Sequence, residues 1–84
     1  MTDQQRGDTV RPASPARTPR IDSFRDRAVS FENAFCIAPH CCPSRASFHT
    51  GLYPSEHGVW NNVNVANALS TGLEPGVRLF SEEL

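Results

Sequence analysis

Large apolar residues are sparse at the start of the chain and never settle into one period. Residues 7–18 hold two prolines among small polar residues, which breaks both helical and strand spacing and predicts a loop. Thr18-Pro19 is a helix-start signal, because threonine can cap and proline's missing N–H costs nothing at the first helical position. Ile21, Phe24 and Val29 then give a loose apolar face, predicting a helix over residues 19–28. In residues 29–36, Val29, Phe31 and Ala34 or Phe35 are apolar, which predicts a short strand. Residues 37–42 read as a turn leading into Pro43. A short helix over about 43–50 follows, closed by Gly51 as its C-terminal cap. Residues 53–58 have loop chemistry, and residues 59–70 are irregular and rich in asparagine. Residues 79–84 open like a helix, with Ser81, Glu82 and Glu83 suited to a first turn. A chain that ends as a helix begins suggests a segment of a longer protein. No internal repeat is present.

Composition narrows the picture. Only 38% of 84 residues are apolar, and seven prolines and five glycines interrupt them, which is thin material for an independent core. The formal net charge is -1, so no general attraction to nucleic acid or membrane follows. All eight basic residues are arginines, and six of them (Arg6, Arg11, Arg17, Arg20, Arg25 and Arg27) fall in the first third. Asp3, Asp8, Asp22 and Asp26 lie among them and no aromatic residue precedes Phe24, so a nucleic-acid arm is not expected. No apolar run approaches membrane-spanning length. The polar opening, residues 1–8, is not a signal peptide. Three cysteines, two of them adjacent, argue against a disulfide framework and for a reducing, cytoplasmic compartment.

The chemistry concentrates in residues 41–51, Cys-Cys-Pro-Ser-Arg-Ala-Ser-Phe-His-Thr-Gly. A cysteine just ahead of a short helix meets the positive end of the helix dipole, which favours anions and activates a thiol. Arg45, four residues on, would add a fixed positive charge on the same side. That combination suits an oxyanion substrate. The plainer alternative is a buried inert cysteine beside a surface arginine. Cys36, His40, Cys41, Cys42 and His49 also suggest a zinc site, although no Cys-x-x-Cys pair is present.

The run Cys41-x-Pro43-Ser44-Arg45 with Thr50-Gly51 resembles the sulfatase signature, in which the first cysteine is oxidised to formylglycine. His49 departs from the leucine that is commoner there. Thr18-Pro19-Arg20-Ile21-Asp22 resembles the family's Thr-Pro-Asn-hydrophobic-Asp helix start, and Tyr53-Pro54-Ser55-Glu56-His57-Gly58 its Tyr-Pro-x-x-His-Gly segment. Asp3 and Gln4, followed by Arg6, are similar to the acid-plus-glutamine metal ligands that end the family's first strand. Their oxygens suit a hard divalent cation.

The resemblance implies an α/β, alkaline-phosphatase-like fold, of which residues 1–84 would be an N-terminal fragment: an incomplete central sheet plus the helix bearing the nucleophile. It implies Cys41 and Arg45 as catalytic residues, and Asp3, Gln4 and the modified Cys41 as metal ligands. Calcium is the first choice of ion, with manganese or magnesium as alternatives. The implied partners are a small sulfate or phosphonate ester and a formylglycine-generating enzyme. Asn62 falls where related phosphonate monoesterases and choline sulfatases place a substrate-binding asparagine. Asn61 beside it leaves that assignment open by one position, and a turn asparagine is the plain alternative. His57 reads as structural. The family's Lys-Trp-His-type segment and second metal pair are absent from the chain, so hydrolysis by these residues alone is not expected. The implied function is sulfuric ester hydrolysis. The alternatives are phosphonate or phosphodiester hydrolysis, a non-catalytic remnant of a truncated gene, or a small binding module.

Overall fold

The computed structural model describes residues 1–84 and contains helices only. They are α1 (Pro19–Arg25), α2 (Cys41–Thr50) and α3 (Pro54–His57), with single 3-10 turns at Gly7–Val10 and Phe80–Glu82. The chain divides into two compact units, Met1–Ala34 and Phe35–Leu84.

In the first unit, the loop expected over residues 7–18 contains the Gly7–Val10 turn. Thr9 closes it by donating both its N–H (3.1 Å) and its hydroxyl (2.7 Å) to the Arg6 carbonyl. α1 starts where Thr18-Pro19 predicts, with Pro19 in its first turn. The Thr18 hydroxyl does not cap a backbone N–H; it donates to Asp22 Oδ1 at 3.3 Å. α1 ends at Arg25 rather than residue 28, because the N–H groups of Arg27 and Ala28 turn to the carbonyls of Phe24 and Arg25, three residues back. Arg25 ties the unit together. Its Nη1 donates to the Val10 carbonyl at 2.6 Å and its Nη2 meets Asp22 Oδ1 at 3.1 Å. No residue of this unit is buried.

The sheet of the expected α/β fold is not observed in these residues, and the strand predicted over residues 29–36 is corrected to turn and irregular backbone. An alternating apolar pattern gives a stable strand only when neighbouring strands satisfy its N–H and C=O groups. This chain offers no such neighbour, and Val29, Phe31 and Phe35 stay exposed.

In the second unit α2 is the organising element. It begins at Cys41, two residues earlier than its predicted start at Pro43, and Pro43 occupies the first turn, where a missing N–H is harmless. Gly51 closes it as predicted, at φ 73°, with its N–H on the Ser47 carbonyl at 2.8 Å. The segment expected as a loop at 53–58 contains α3. Pro54 opens that turn, and the Glu56 carboxylate accepts the Tyr53 N–H at 3.1 Å. Both α3 and the Phe80–Glu82 turn pack on α2. The latter does so through Phe80, which stacks on His49 at 5.4 Å between ring centroids and meets Phe48 edge-on. Residues 79–84 thus form one 3-10 turn rather than the start of an α-helix. The small interior of this unit is Val59, His57, Ser47 and Pro43.

Candidate active site

Cys41 is the first residue of α2 and is exposed. A helix leaves its first N–H groups without internal partners. At this terminus Pro43 has none to offer, and His40 provides no side-chain cap. Asn62 fills the role from outside the helix. Its Oδ1 accepts the Cys42 N–H at 3.3 Å and the Cys41 thiol at 3.2 Å. The backbone donor fixes which way the amide faces, because an NH2 group in that place could not accept.

The neighbouring asparagine turns elsewhere. Asn61 Oδ1 accepts the Leu69 N–H at 3.0 Å, and the Trp60 N–H goes to Ser70 Oγ at 3.2 Å. Those two bonds close the irregular loop of residues 60–70. Of the two candidates, Asn62 is therefore the one that contacts Cys41.

Arg45 lies four residues after Cys41 on α2, which sets both on one helix face. Together with Cys42, His49, Val59 and Leu79, Arg45 lines an open, largely apolar groove of about 410 Å³. The residue pattern thus delivers a thiol, a carboxamide and a guanidinium to one helix and the loop beside it. A sulfur at a helix start with a cation in reach can act as, or be converted into, a nucleophile toward an anionic ester.

The second unit holds one further polar pair, which sequence reasoning passed over. Ser47 Oγ and His57 Nε2 meet at 2.9 Å, and His57 is 0% exposed. His57 Nδ1 accepts the Val59 N–H at 3.1 Å, so in this arrangement the proton sits on Nε2 and is donated to Ser47. The signal for Ser47 was its four-residue spacing from Pro43, since both face inward on α2. His57, expected to be structural, has both ring nitrogens engaged and no exposed surface.

Asp3 and Gln4 belong to the first unit, where both are exposed, and Gln4 takes a left-handed backbone at φ 51°. A calcium ion wants six to eight oxygens and magnesium about six, in a fixed octahedron. No cluster of three or more His, Cys, Asp or Glu side chains suited to a metal occurs in the chain. The zinc cluster considered for Cys36, His40, Cys41, Cys42 and His49 does not assemble either, and all three cysteines are free.

Comparison with known proteins agrees with the signature. An uncharacterized sulfatase of Escherichia coli strain K12 is 38% identical over 74 residues, which is 84% of this chain and 15% of that protein. An ulvan-active sulfatase of Formosa agariphila is 41% identical over 64 residues, 74% of this chain and 12% of that protein. An arylsulfatase of Clostridium perfringens is 40% identical over 60 residues, 69% of this chain and 12% of that protein. The chain thus spans 12% to 15% of the length of these relatives. No solved structure gives a significant match. The sulfatase sequence profile matches residues 1–81, nearly the whole chain, and with these relatives it shows that the chain belongs to the sulfatase family.

Proposed function

We propose that this chain is the nucleophile-bearing segment of a sulfuric ester hydrolase, with Cys41 as the residue converted to formylglycine by a formylglycine-generating enzyme. The observation that carries the reading is the position of Cys41: exposed, first in α2, four residues before Arg45 and held at its sulfur by Asn62. An exposed thiol at a helix start is accessible to a modifying enzyme. A reducing, cytoplasmic setting is part of the same proposal, on the odd count of three cysteines, two of them adjacent.

Formylglycine, once formed, would supply a hydrated aldehyde as the oxygen nucleophile toward the ester. The chain's own residues would do the rest of their part electrostatically. Arg45 would offset charge on the transferring group. Asn62 would hold the substrate or the nucleophile by its carboxamide. Asp3 and Gln4 would offer oxygen donors to a divalent cation, calcium by preference, within a larger donor set; no step is assigned to that ion.

The test is to produce the chain together with a formylglycine-generating enzyme and map residue 41 by mass spectrometry and hydrazide capture. The expected result is an aldehyde at Cys41, absent in Cys41→Ala and strongly reduced in Arg45→Ala. A Cys41 that stays a thiol throughout would overturn the reading. A longer polypeptide carrying this segment should then cleave an aryl sulfate only when residue 41 is modified.

A phosphonate monoester or phosphodiester substrate is the second reading. The Asn62–Cys41 contact favours it, since an asparagine at this place resembles that branch. Rates on paired sulfate and phosphonate esters separate the two.

A further inference from the structure

We propose that His57 is a positioning residue: through its buried bond to Ser47 it sets the path of residues 59–62 and so holds Asn62 on residue 41. The role of residue 41 as the reacting residue rests on the function proposed above, whereas the coupling does not.

Two ties join α2 to the segment after α3. One is Asn62 Oδ1 on Cys41 and Cys42 at the start of the helix. The other is His57 Nε2 on Ser47, six residues further along. Between them the chain has little freedom. The Val59 N–H is fixed on His57 Nδ1 at 3.1 Å, and Val59 is buried. From Val59 only three residues lead to Asn62, so its reach is about 10 Å. The intervening Trp60 N–H and Asn61 side chain are each bonded to the far side of the loop. The His57 carbonyl accepts the Glu74 N–H at 3.0 Å, which holds the residue from a third direction.

An imidazole suits this place because one nitrogen accepts while the other donates. Its full burial separates it from any reacting atom. A change at His57 therefore acts on residue 41 indirectly, and Asn62 is the side chain that carries it to the sulfur.

The coupling can be read without any sulfatase assay, from alkylation of the 84-residue chain by iodoacetamide. The rate at Cys41 is followed by tandem mass spectrometry, with exposed Cys36 as the internal reference. Asn62→Ala removes the acceptor from the thiol and should speed Cys41 by about two- to ten-fold, the range one net hydrogen bond supports. Ser47→Ala and His57→Phe should reproduce that acceleration. The double variant Ser47→Ala/Asn62→Ala should add nothing beyond Asn62→Ala alone. His57→Gln, which keeps a donor toward Ser47, should stay nearer the wild-type rate. Should His57→Phe unfold the segment, seen as Cys42 reacting as fast as Cys36, Ser47→Ala carries the test.

A wild-type Cys41 rate in Ser47→Ala beside an accelerated Asn62→Ala overturns the proposal, as does an Asn62→Ala rate equal to wild type. Failure of aldehyde formation at Cys41 with this coupling intact would count against the proposed function alone.

Discussion

Glu74 lies so close over Gly58 that a β-carbon at residue 58 would come within 2.8 Å of its Oε1 and 3.0 Å of its Cδ. Gly58 ends α3 at φ 78°, a left-handed backbone that a side chain resists. Gly51 ends α2 at nearly the same angle, φ 73°, with nothing within 4 Å of its would-be β-carbon. The pair separates backbone strain from crowding. Gly51→Ala should cost about 1 kcal/mol, from backbone strain alone. Gly58→Ala should cost about 1–2 kcal/mol more, since the contact involves the near end of the Glu74 side chain as well as its carboxylate. Hydrogen exchange at the Glu74 amide, which donates to the His57 carbonyl, reads the difference. Adding Glu74→Ala to Gly58→Ala should recover the crowding part, and equal exchange in the two glycine variants would refute the steric account.

The cap on α3 gives a second prediction. Glu56 accepts the Tyr53 N–H at 3.1 Å, while the Glu56 N–H returns to the Tyr53 carbonyl at 2.9 Å. A four-residue turn has no internal ladder to fall back on. Glu56→Ala should therefore cost about 1 kcal/mol, as for other lost caps. The Gly58 amide, bonded to the Pro54 carbonyl at 2.9 Å, should exchange correspondingly faster. Glu56→Gln should retain most of the protection, because its carbonyl oxygen still accepts.

One end of α1 and one end of α2 were legible because each is written in single residues. Thr18-Pro19 marks the start of α1, and Gly51 marks the end of α2. The absence of a strand over residues 29–36 was not legible, because strand formation is decided by neighbours that a local pattern does not reveal. α3 escaped the periodicity argument, since four residues hold barely one turn, although Pro54 and Glu56 already carried its start signal. In the candidate site, the motif located Cys41 just ahead of the short helix that carries Arg45, and the structure takes Cys41 into that helix. The motif left Asn61 and Asn62 undecided, because adjacent residues differ only in where the backbone aims them. The Ser47–His57 bond lay beyond local reading, as it joins two elements ten residues apart.

Two arginines of the first unit should behave differently on removal. Arg25 is half-buried and holds the Val10 carbonyl at 2.6 Å across fifteen residues. Arg25→Gln should loosen the Gly7–Val10 turn from α1 by about 1 kcal/mol, below the full worth of a charged hydrogen bond because the site is partly wet. Limited proteolysis within residues 11–17 should quicken several-fold. Arg6 and Asp8 form a 2.7 Å ion pair whose side chains are 80% and 53% exposed. Such a pair contributes little, so Arg6→Gln should leave the cleavage rate unchanged. Equal effects of the two variants would mean that Arg25 does not hold the unit together.

The largest consequence of the sequence is how little apolar surface it buries. Val59 is the single buried hydrophobic residue, worth about 1.5–3 kcal/mol. Phe31 is 81% exposed, Phe35 90% and Leu69 78%, each a side chain that gains from cover. The isolated chain should therefore bind a hydrophobic dye such as anilinonaphthalene sulfonate and self-associate as its concentration rises. Its thermal transition should be broad. Trp60, the only tryptophan and 54% exposed, reports the local state of the segment between His57 and Asn62. Its emission should be readily quenched by acrylamide and should shift to the blue as the chain associates. Replacing Phe31 and Phe35 together with serine should lower dye binding without changing helix content, because neither residue lies in a helix. A sharp melt with no dye enhancement would show that the chain covers its own apolar faces and would overturn this account of its stability.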